Sequence, residues 1–403
     1  MQFYFPYIQW DNAVILGLHS ELTTVNTLWQ LAESQLELHR YPKGLHDKSL
    51  QAWDSADELI VNHLSNLPKP IHNPLILEDN FGALSVALNH LSPTVLTDSF
   101  ISKQAIIQNC QINNLTTPEL LDSLTPLPDS ELVVIKLTKN IGYLEFLIQQ
   151  IIKRKKPCLI VASGKTTLVT SNVIKLFEKY FIEVSTSLAK KKSRLIFSSY
   201  SPNSNVFTDK YPVSVNWQEQ GLILQSHANV FSKDQIDIGG RFLAEHLPNI
   251  TDKQEIIDLG CGNGLLGIAC LNQVKSKGIN AKVTFVDESF MAVSSAKLNV
   301  ESLFPADIQH CQFRQDDCLT QQPDRSVDLI LCNPPFHQQN AITEHIAIQM
   351  FNQSFSALRK GGCLFVVANR HLPYQEQLKK CFGGFKVAHQ NSKFVIYQCN
   401  KLS

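Results

Sequence analysis

Ile256-Ile257-Asp258-Leu259-Gly260-Cys261-Gly262-Asn263-Gly264 is the stretch on which the fold turns. Ile256–Leu259 reads as a buried strand, the three glycines as a turn, and Leu265–Gln273 as the helix that follows. Glycine lets the backbone turn tightly and approach a ligand with no side chain between. A dinucleotide loop uses the same logic but is spaced G-x-G-x-x-G. Here the glycines fall on alternate positions, and an acid, Asp258, stands ahead of them.

Working outward, Lys282–Val286 is the next strand, closed by Asp287, and Met291–Asn299 is helical. Phe313-Arg314-Gln315-Asp316-Asp317 ends a third strand. Val327–Cys332 is a fourth, and Asn333-Pro334-Pro335-Phe336 follows it directly. A helix over Phe351–Leu358 ends at Lys360-Gly361-Gly362, and Cys363–Ala368 and Phe394–Gln398 are the last strands. Such alternation makes an α/β sheet, whose ligands bind at the carboxyl ends of the strands. Asn333–Phe336 lies at that edge. An exocyclic aromatic amine is a poor nucleophile because its lone pair is conjugated into the ring. The side-chain oxygen of Asn333 and the carbonyl of Pro334 can accept its two hydrogens and aim the lone pair. Phe336 supplies a flat face for the base, and the prolines stiffen the loop.

The first half of the chain repeats this order. LILEDNFGALSVAL at 75–88 mirrors IIDLGCGNGLLGIA at 256–269, and VLTDS at 95–99 mirrors FVDES at 285–289. ELVVIKLTKN at 131–140 mirrors DLILCNPPF at 328–336, and PCLIVASGK at 157–165 mirrors GCLFVVANR at 362–370. The expected fold is therefore α/β, two tandem Rossmann-like domains joined near 200–235. A helix near Ala52–Leu64 precedes the first copy. That copy is degenerate: Glu78-Asp79-Asn80-Phe81-Gly82 keeps one glycine, Phe81 is expected to crowd a cofactor, and Leu137-Thr138-Lys139-Asn140 stands in place of the NPPF turn.

Formal net charge is zero over 403 residues but is unevenly spread. Residues 1–130 carry 14 acids and 5 bases, residues 131–200 carry 4 acids and 13 bases, and the remainder is balanced. The middle segment includes Lys153–Lys156 and Lys190–Lys192, a positive field suited to a polyanion such as RNA. The 10 cysteines contain no C-x2-C pair, so no zinc site or other metal is called for, and free thiols suit a reducing compartment. The apolar N-terminus lacks early Lys or Arg, and no long uncharged stretch predicts a membrane span. Ala162–Thr167 resembles the end of a phosphate-binding GKT loop, but Leu159 occupies the position of its first glycine.

The acid-then-glycines pattern resembles the first motif of class I S-adenosylmethionine-dependent methyltransferases. That resemblance implies S-adenosyl-L-methionine as cofactor, held by Asp258, Gly260, Gly262, Asn263 and Gly264. It implies Asp287 (or its neighbour Glu288) at the ribose and Asp317 (or Asp316) at the adenine. The chain as a whole resembles the bacterial ribosomal RNA guanine-N2 methyltransferases with a duplicated fold, most closely the large-subunit branch. The resemblance is carried by LQAWDSADE at 50–58, HANVFSKDQIDIGGRFLAEHLP at 227–248, DLGCGNG at 258–264, FVDES, CNPPFHQQ at 332–339 and VANRHLPY at 367–374. It implies methylation of a guanine amino group in 23S rRNA, naked or incompletely assembled, in the cytoplasm. No membrane and no obligate protein partner are implied. Phe231 and Asp237 would lie at the cofactor entrance, and Asn333, Pro334 and Phe336 would be catalytic. The implied layout is an N-terminal extension over 1–45, a degenerate RNA-holding domain over 46–205, a linker over 206–235 and a catalytic domain over 236–403. Guanine-N2 methylation of 16S rRNA, adenine-N6 methylation and protein-glutamine methylation remain alternatives, since each presents a planar amine. An RNA-binding module without turnover is a further one, which predicts decay of the motifs in both copies.

Overall fold

The computed structural model describes residues 26–32, 34–42, 51–202, 208–335 and 341–402, side chains of 341–344 excepted. A short hairpin, β1 (Leu28–Gln30) and β2 (Gln35–Glu37), leads into α1 (Ser55–Ser65). The first sheet follows as β3 (Leu75–Leu77), α2 (Ala83–Ala87), β4 (Thr94–Thr97), α3 (Phe100–Ile112), β5 (Glu119–Asp122), β6 (Leu132–Lys136), α4 (Ile141–Lys153), β7 (Cys158–Lys165), α5 (Ser171–Tyr180), β8 (Ile182–Thr186) and β9 (Ser193–Tyr200). A second hairpin, β10 (Val213–Trp217) and β11 (Leu222–Ser226), joins the halves. The second unit runs α6 (Ile238–Glu245), β12 (Gln254–Leu259), α7 (Leu265–Lys277), β13 (Ala281–Asp287), α8 (Phe290–Leu303), β14 (Cys311–Gln315), β15 (Val327–Cys332), α9 (Ala341–Ala357), β16 (Leu358–Asn369), α10 (Tyr374–Phe382), β17 (Lys386–Gln390) and β18 (Phe394–Asn400).

Both sheets have seven strands, ordered β5-β4-β3-β6-β7-β9-β8 and β14-β13-β12-β15-β16-β18-β17, which is one topology used twice. Five strands of each are parallel, and the late strands β9 and β18 enter antiparallel beside β7 and β16. The central strands β3, β6 and β15 are apolar runs because helices cover both faces of a parallel sheet. The order reverses between β12 and β15, the crevice where such sheets bind ligands.

Register corrects the alignment of the two copies. Leu77 pairs with Ile135 as Leu259 pairs with Cys332, so Lys136, not Leu137, stands where Asn333 stands. Glu78 (φ +69) takes the backbone position of Gly260 (φ +72), and Gly82 (φ +80) that of Gly264 (φ +87). At the first of these positions Glu78 Oε1 accepts from the Tyr143 hydroxyl at 2.6 Å and from the Asp98 amide at 3.1 Å, and the Arg40 guanidinium lies over the Phe81 ring at 4.6 Å. Met291 of α8 is fully buried in the first unit's core beside Tyr143, Ala228 and Val230. Gly164 of the GKT-like segment lies in β7, paired with Arg194.

Three further segments differ from expectation. Residues 26–42, placed by the sequence in an extension, pack into the first unit. Trp29 stacks on Trp53 at 5.9 Å, Leu38 is buried, and His39 and Asn109 exchange hydrogen bonds at 2.9 and 2.8 Å. In the expected linker, Trp217 and Leu224 are buried in the second core. Lys360–Gly362 continues β16 rather than ending a helix, because Leu358 already pairs with Val327.

Candidate active site at the carboxyl edge of the second sheet

Parallel register brings the ends of β12, β13 and β15 level, so Gly260, Asp287 and Asn333 emerge side by side. Gly260, Gly262 and Gly264 all have positive φ, a region costly for side chains. At Gly264 an added Cβ would sit 3.1 Å from the Ala296 backbone, whereas at Gly262 nothing lies within 4 Å. Gly262 thus leaves its backbone open to a cavity of about 410 Å³, lined by the glycine loop, Asp258, Asp287, Asp316, Asp317 and Asn333–Pro335.

Each acid has a distinct attachment. Asp258 accepts the Gly267 amide of α7 at 2.8 Å through one oxygen, while the other is buried with no partner among the described residues. Burial, reinforced by Asp287, pushes its carboxyl up to about 8. Asp287 accepts from the Gly262 amide at 2.9 Å and the Ser289 amide at 3.0 Å, and burial raises it. Glu288 also lines the cavity and accepts from Ser99 of the first unit at 2.7 Å. The two acids that adjacency in sequence left as alternatives both line the cavity and differ in their bonds: Asp287 touches the glycine loop, and Glu288 ties the units. Asp316 is fully buried, one oxygen accepting from the Gln321 amide at 3.0 Å and the other without a partner among the described residues. Burial raises the Asp317 carboxyl, which also lines the cavity. Asn263 donates to Ser226 at 3.2 Å, and its carbonyl accepts from Asn299 at 2.9 Å.

Asn333 donates its Nδ2 to Asp237 Oδ2 at 2.9 Å, and its Oδ1 is buried without a partner among the described residues. Asp237 was expected at the cofactor entrance; it lines the cavity and also grips the asparagine. Phe231 lines the mouth and is 61% exposed. Phe336 lies outside the described residues, as does His337.

The sequence did not point to the first unit's part in this cavity. Ile101 lines it. The units meet in a reciprocal pair of bonds: Phe100 N to Glu288 O and Phe290 N to Asp98 O, both 2.9 Å. Asp98 also accepts from Ser289 Oγ at 2.5 Å and Met291 N at 2.9 Å, capping α8 across the boundary. The repeated acid-Ser-Phe of 98–100 and 288–290 was the available signal.

Among known proteins, the methyltransferase small domain matches residues 221–398, and the RLMG N-terminal domain matches 26–202. The ribosomal RNA large subunit methyltransferase G of Pseudoalteromonas translucida is 42% identical, over 92% of this chain and 97% of its own. Those of Erwinia tasmaniensis and Aeromonas hydrophila are also 42% identical, over 93% and 94% of this chain and 99% and 100% of theirs. The chain belongs to the ribosomal RNA large subunit methyltransferase G family. The methyltransferase small domain coincides with the second unit, and the RLMG N-terminal domain with the first. A solved T. thermophilus 16S rRNA N2-guanine methyltransferase, in complex with AdoMet and guanosine, has the same two-unit fold. Its TM-score is 0.73 at 18% identity, over 93% of this chain and 97% of its own.

Proposed function

We propose that this family member transfers a methyl group from S-adenosyl-L-methionine to the N2 amino group of a guanine in 23S rRNA, presented naked or incompletely assembled. The observation that carries the reading is the buried Oδ1 of Asn333, unpartnered among the described residues, in the same cavity as the glycine loop. The names of the family's relatives support the large-subunit substrate. The cavity fits the cofactor: Gly262 is open, Asp287 stands at the second strand's end, and Asp258 and Asp316 each keep a buried free oxygen. Bound there, S-adenosylmethionine supplies an electrophilic methyl, taken by the amine nitrogen as the carbon–sulfur bond breaks and its electron pair stays on sulfur.

The remaining steps belong to the protein. Gly260, Gly262, Asn263 and Gly264 shape the loop against the methionine portion, Asp287 accepts the ribose hydroxyls, and Asp317 or Asp316 the adenine amine. Asn333 Oδ1 and the Pro334 carbonyl accept the two guanine hydrogens, and Phe336 stacks on the base. The extra proton on the methylated nitrogen leaves to water. The target base must reach the cavity unpaired, at a cost of a few kcal/mol. The first unit holds RNA, and a cytoplasmic location goes with that substrate. No described helix is long and apolar enough to cross a membrane.

Labelled S-adenosylmethionine supplied with naked 23S rRNA, naked 16S rRNA, intact subunits and a protein fraction tests this. N2-methylguanine, located in 23S rRNA by nuclease digestion and mass spectrometry, is expected. Methyl only on 16S rRNA, adenine or protein overturns it. Asn333→Ala is expected to bind the cofactor and lose turnover.

A further inference from the structure

We propose that Asp237 is a positioning residue for methyl transfer, acting through Asn333 by fixing which end of its amide faces the cavity. The inference rests on Asn333 being the amine's acceptor, as read above. An ionised carboxylate accepts hydrogen bonds and donates none. With Asp237 Oδ2 2.9 Å away, Asn333 has to present Nδ2 to it, which leaves Oδ1 for the substrate. Turned over, the amide would direct N–H groups at an N–H donor. The contact also sharpens the acceptor, since hydrogen bonds in a chain polarise one another and donation from Nδ2 draws electron density to Oδ1.

The carboxylate is itself held. Asp237 is the N-cap of α6, and its Oδ2 accepts the Gly240 amide at 2.6 Å. Gly240 packs closely against the pair: an added Cβ would lie 3.3 Å from Asp237 Oδ2 and 3.4 Å from Asn333 Nδ2. The first unit contains the same device with its business end exchanged. Asp54 caps α1 and accepts from Lys136, the residue at the Asn333 position, at 2.9 Å. The N-cap carboxylate facing the end of the fourth strand is thus common to both copies. In the first, a lysine leaves no acceptor for an amine.

Three variants separate this from a structural or cofactor role. Ser caps helices nearly as well as Asp but is too short to reach Asn333. Asp237→Ser should therefore keep the urea midpoint and the cofactor Kd while lowering kcat on 23S rRNA by roughly 100-fold, the usual scale for a misplaced catalytic contact. Asp237→Asn, whose Oδ1 can accept both bonds, should recover most of that loss. In single-turnover assays, Asn333→Ala and the Asn333→Ala/Asp237→Ser double variant should react at one rate. Unchanged kcat with weakened cofactor binding in Asp237→Ser overturns the proposal. So does a further 100-fold loss in the double variant. If Asn333→Ala alone keeps wild-type turnover, the reading of Asn333 fails, and this inference fails with it for a different reason.

Discussion

Replacing Asp98 by alanine removes one carboxylate that binds four donors from separate parts of the chain. Ser123 Oγ (2.5 Å) belongs to the first unit and Asn229 Nδ2 (2.8 Å) to the joining segment. Ser289 Oγ (2.5 Å) and Met291 N (2.9 Å) open α8 of the second unit. Asp98 is 2% exposed, so water does not replace it freely. Ser123 and Ser289 can rotate their hydroxyls toward other acceptors, whereas the Met291 amide is fixed and Asn229 is held by Asn140 at 3.2 Å. Two stranded donors at about 1–3 kcal/mol each give a loss of roughly 2–6 kcal/mol. That is a large share of the usual 5–15 kcal/mol of a domain. Equilibrium urea unfolding followed by fluorescence reads it in both units, since Trp29 and Trp53 report on the first core and Trp217 on the second. Both signals should shift together, and cofactor binding should weaken because Ser289 and Asp287 share a turn. A shift under about 0.5 kcal/mol, or one confined to the first unit, would refute the idea that Asp98 holds the second unit's site.

Glu78 is buried and pushed up to about 7, first by burial, with Asp98 adding to it. A carboxyl raised on folding binds its proton more tightly in the native state, so its contribution is full below its ordinary 4.5 and is lost as pH rises to about 7. Glu78→Gln, which keeps an acceptor for Tyr143 and the Asp98 amide, should flatten the fall of stability between pH 5 and 8 by up to roughly 3 kcal/mol. A pH-stability curve parallel to wild type contradicts it. For RNA, the cations of the first unit divide by edge. Lys153 and Lys156 pair with Asp209 and Asp129 near the start of β7, while the exposed Lys139 and Lys165 lie at the carboxyl edge, the one that meets the second unit. Lys139→Ala/Lys165→Ala should lower the salt slope of rRNA binding by about 1.4, at roughly 0.7 per phosphate on single strands. Equal slopes in filter binding would remove those two from the interface.

Much of the fold could be read because central parallel strands are apolar runs and helix caps are local. β6, β15 and the glycine turns are examples. The edge strands β8 and β17 could not, since their side chains are mostly exposed and leave no apolar period. The strand-end residues Asp287 and Asn333 were legible from their place after apolar runs. Which residue of the first copy answers to Asn333 was misread by one position, because a strand's end is set by pairing and not by composition.

By itself the sequence determined a duplicated α/β chain, a glycine turn in the second copy and an Asn-Pro-Pro turn at the end of a neighbouring strand. Those features depend on backbone freedom and on neighbours a few residues apart. Only the tertiary structure decided that Glu288 faces the first unit while Asp287 faces the loop. It alone showed that Met291 fills the first copy's core and that Asn333 donates to Asp237. Asp98 and Ser289 are 191 residues apart and Asp237 and Asn333 are 96 apart. The energy of such contacts comes from burial and hydrogen-bond geometry that exist only once the two sheets have formed and met, so the local sequence leaves at most a repeat such as the acid-Ser-Phe of 98–100 and 288–290.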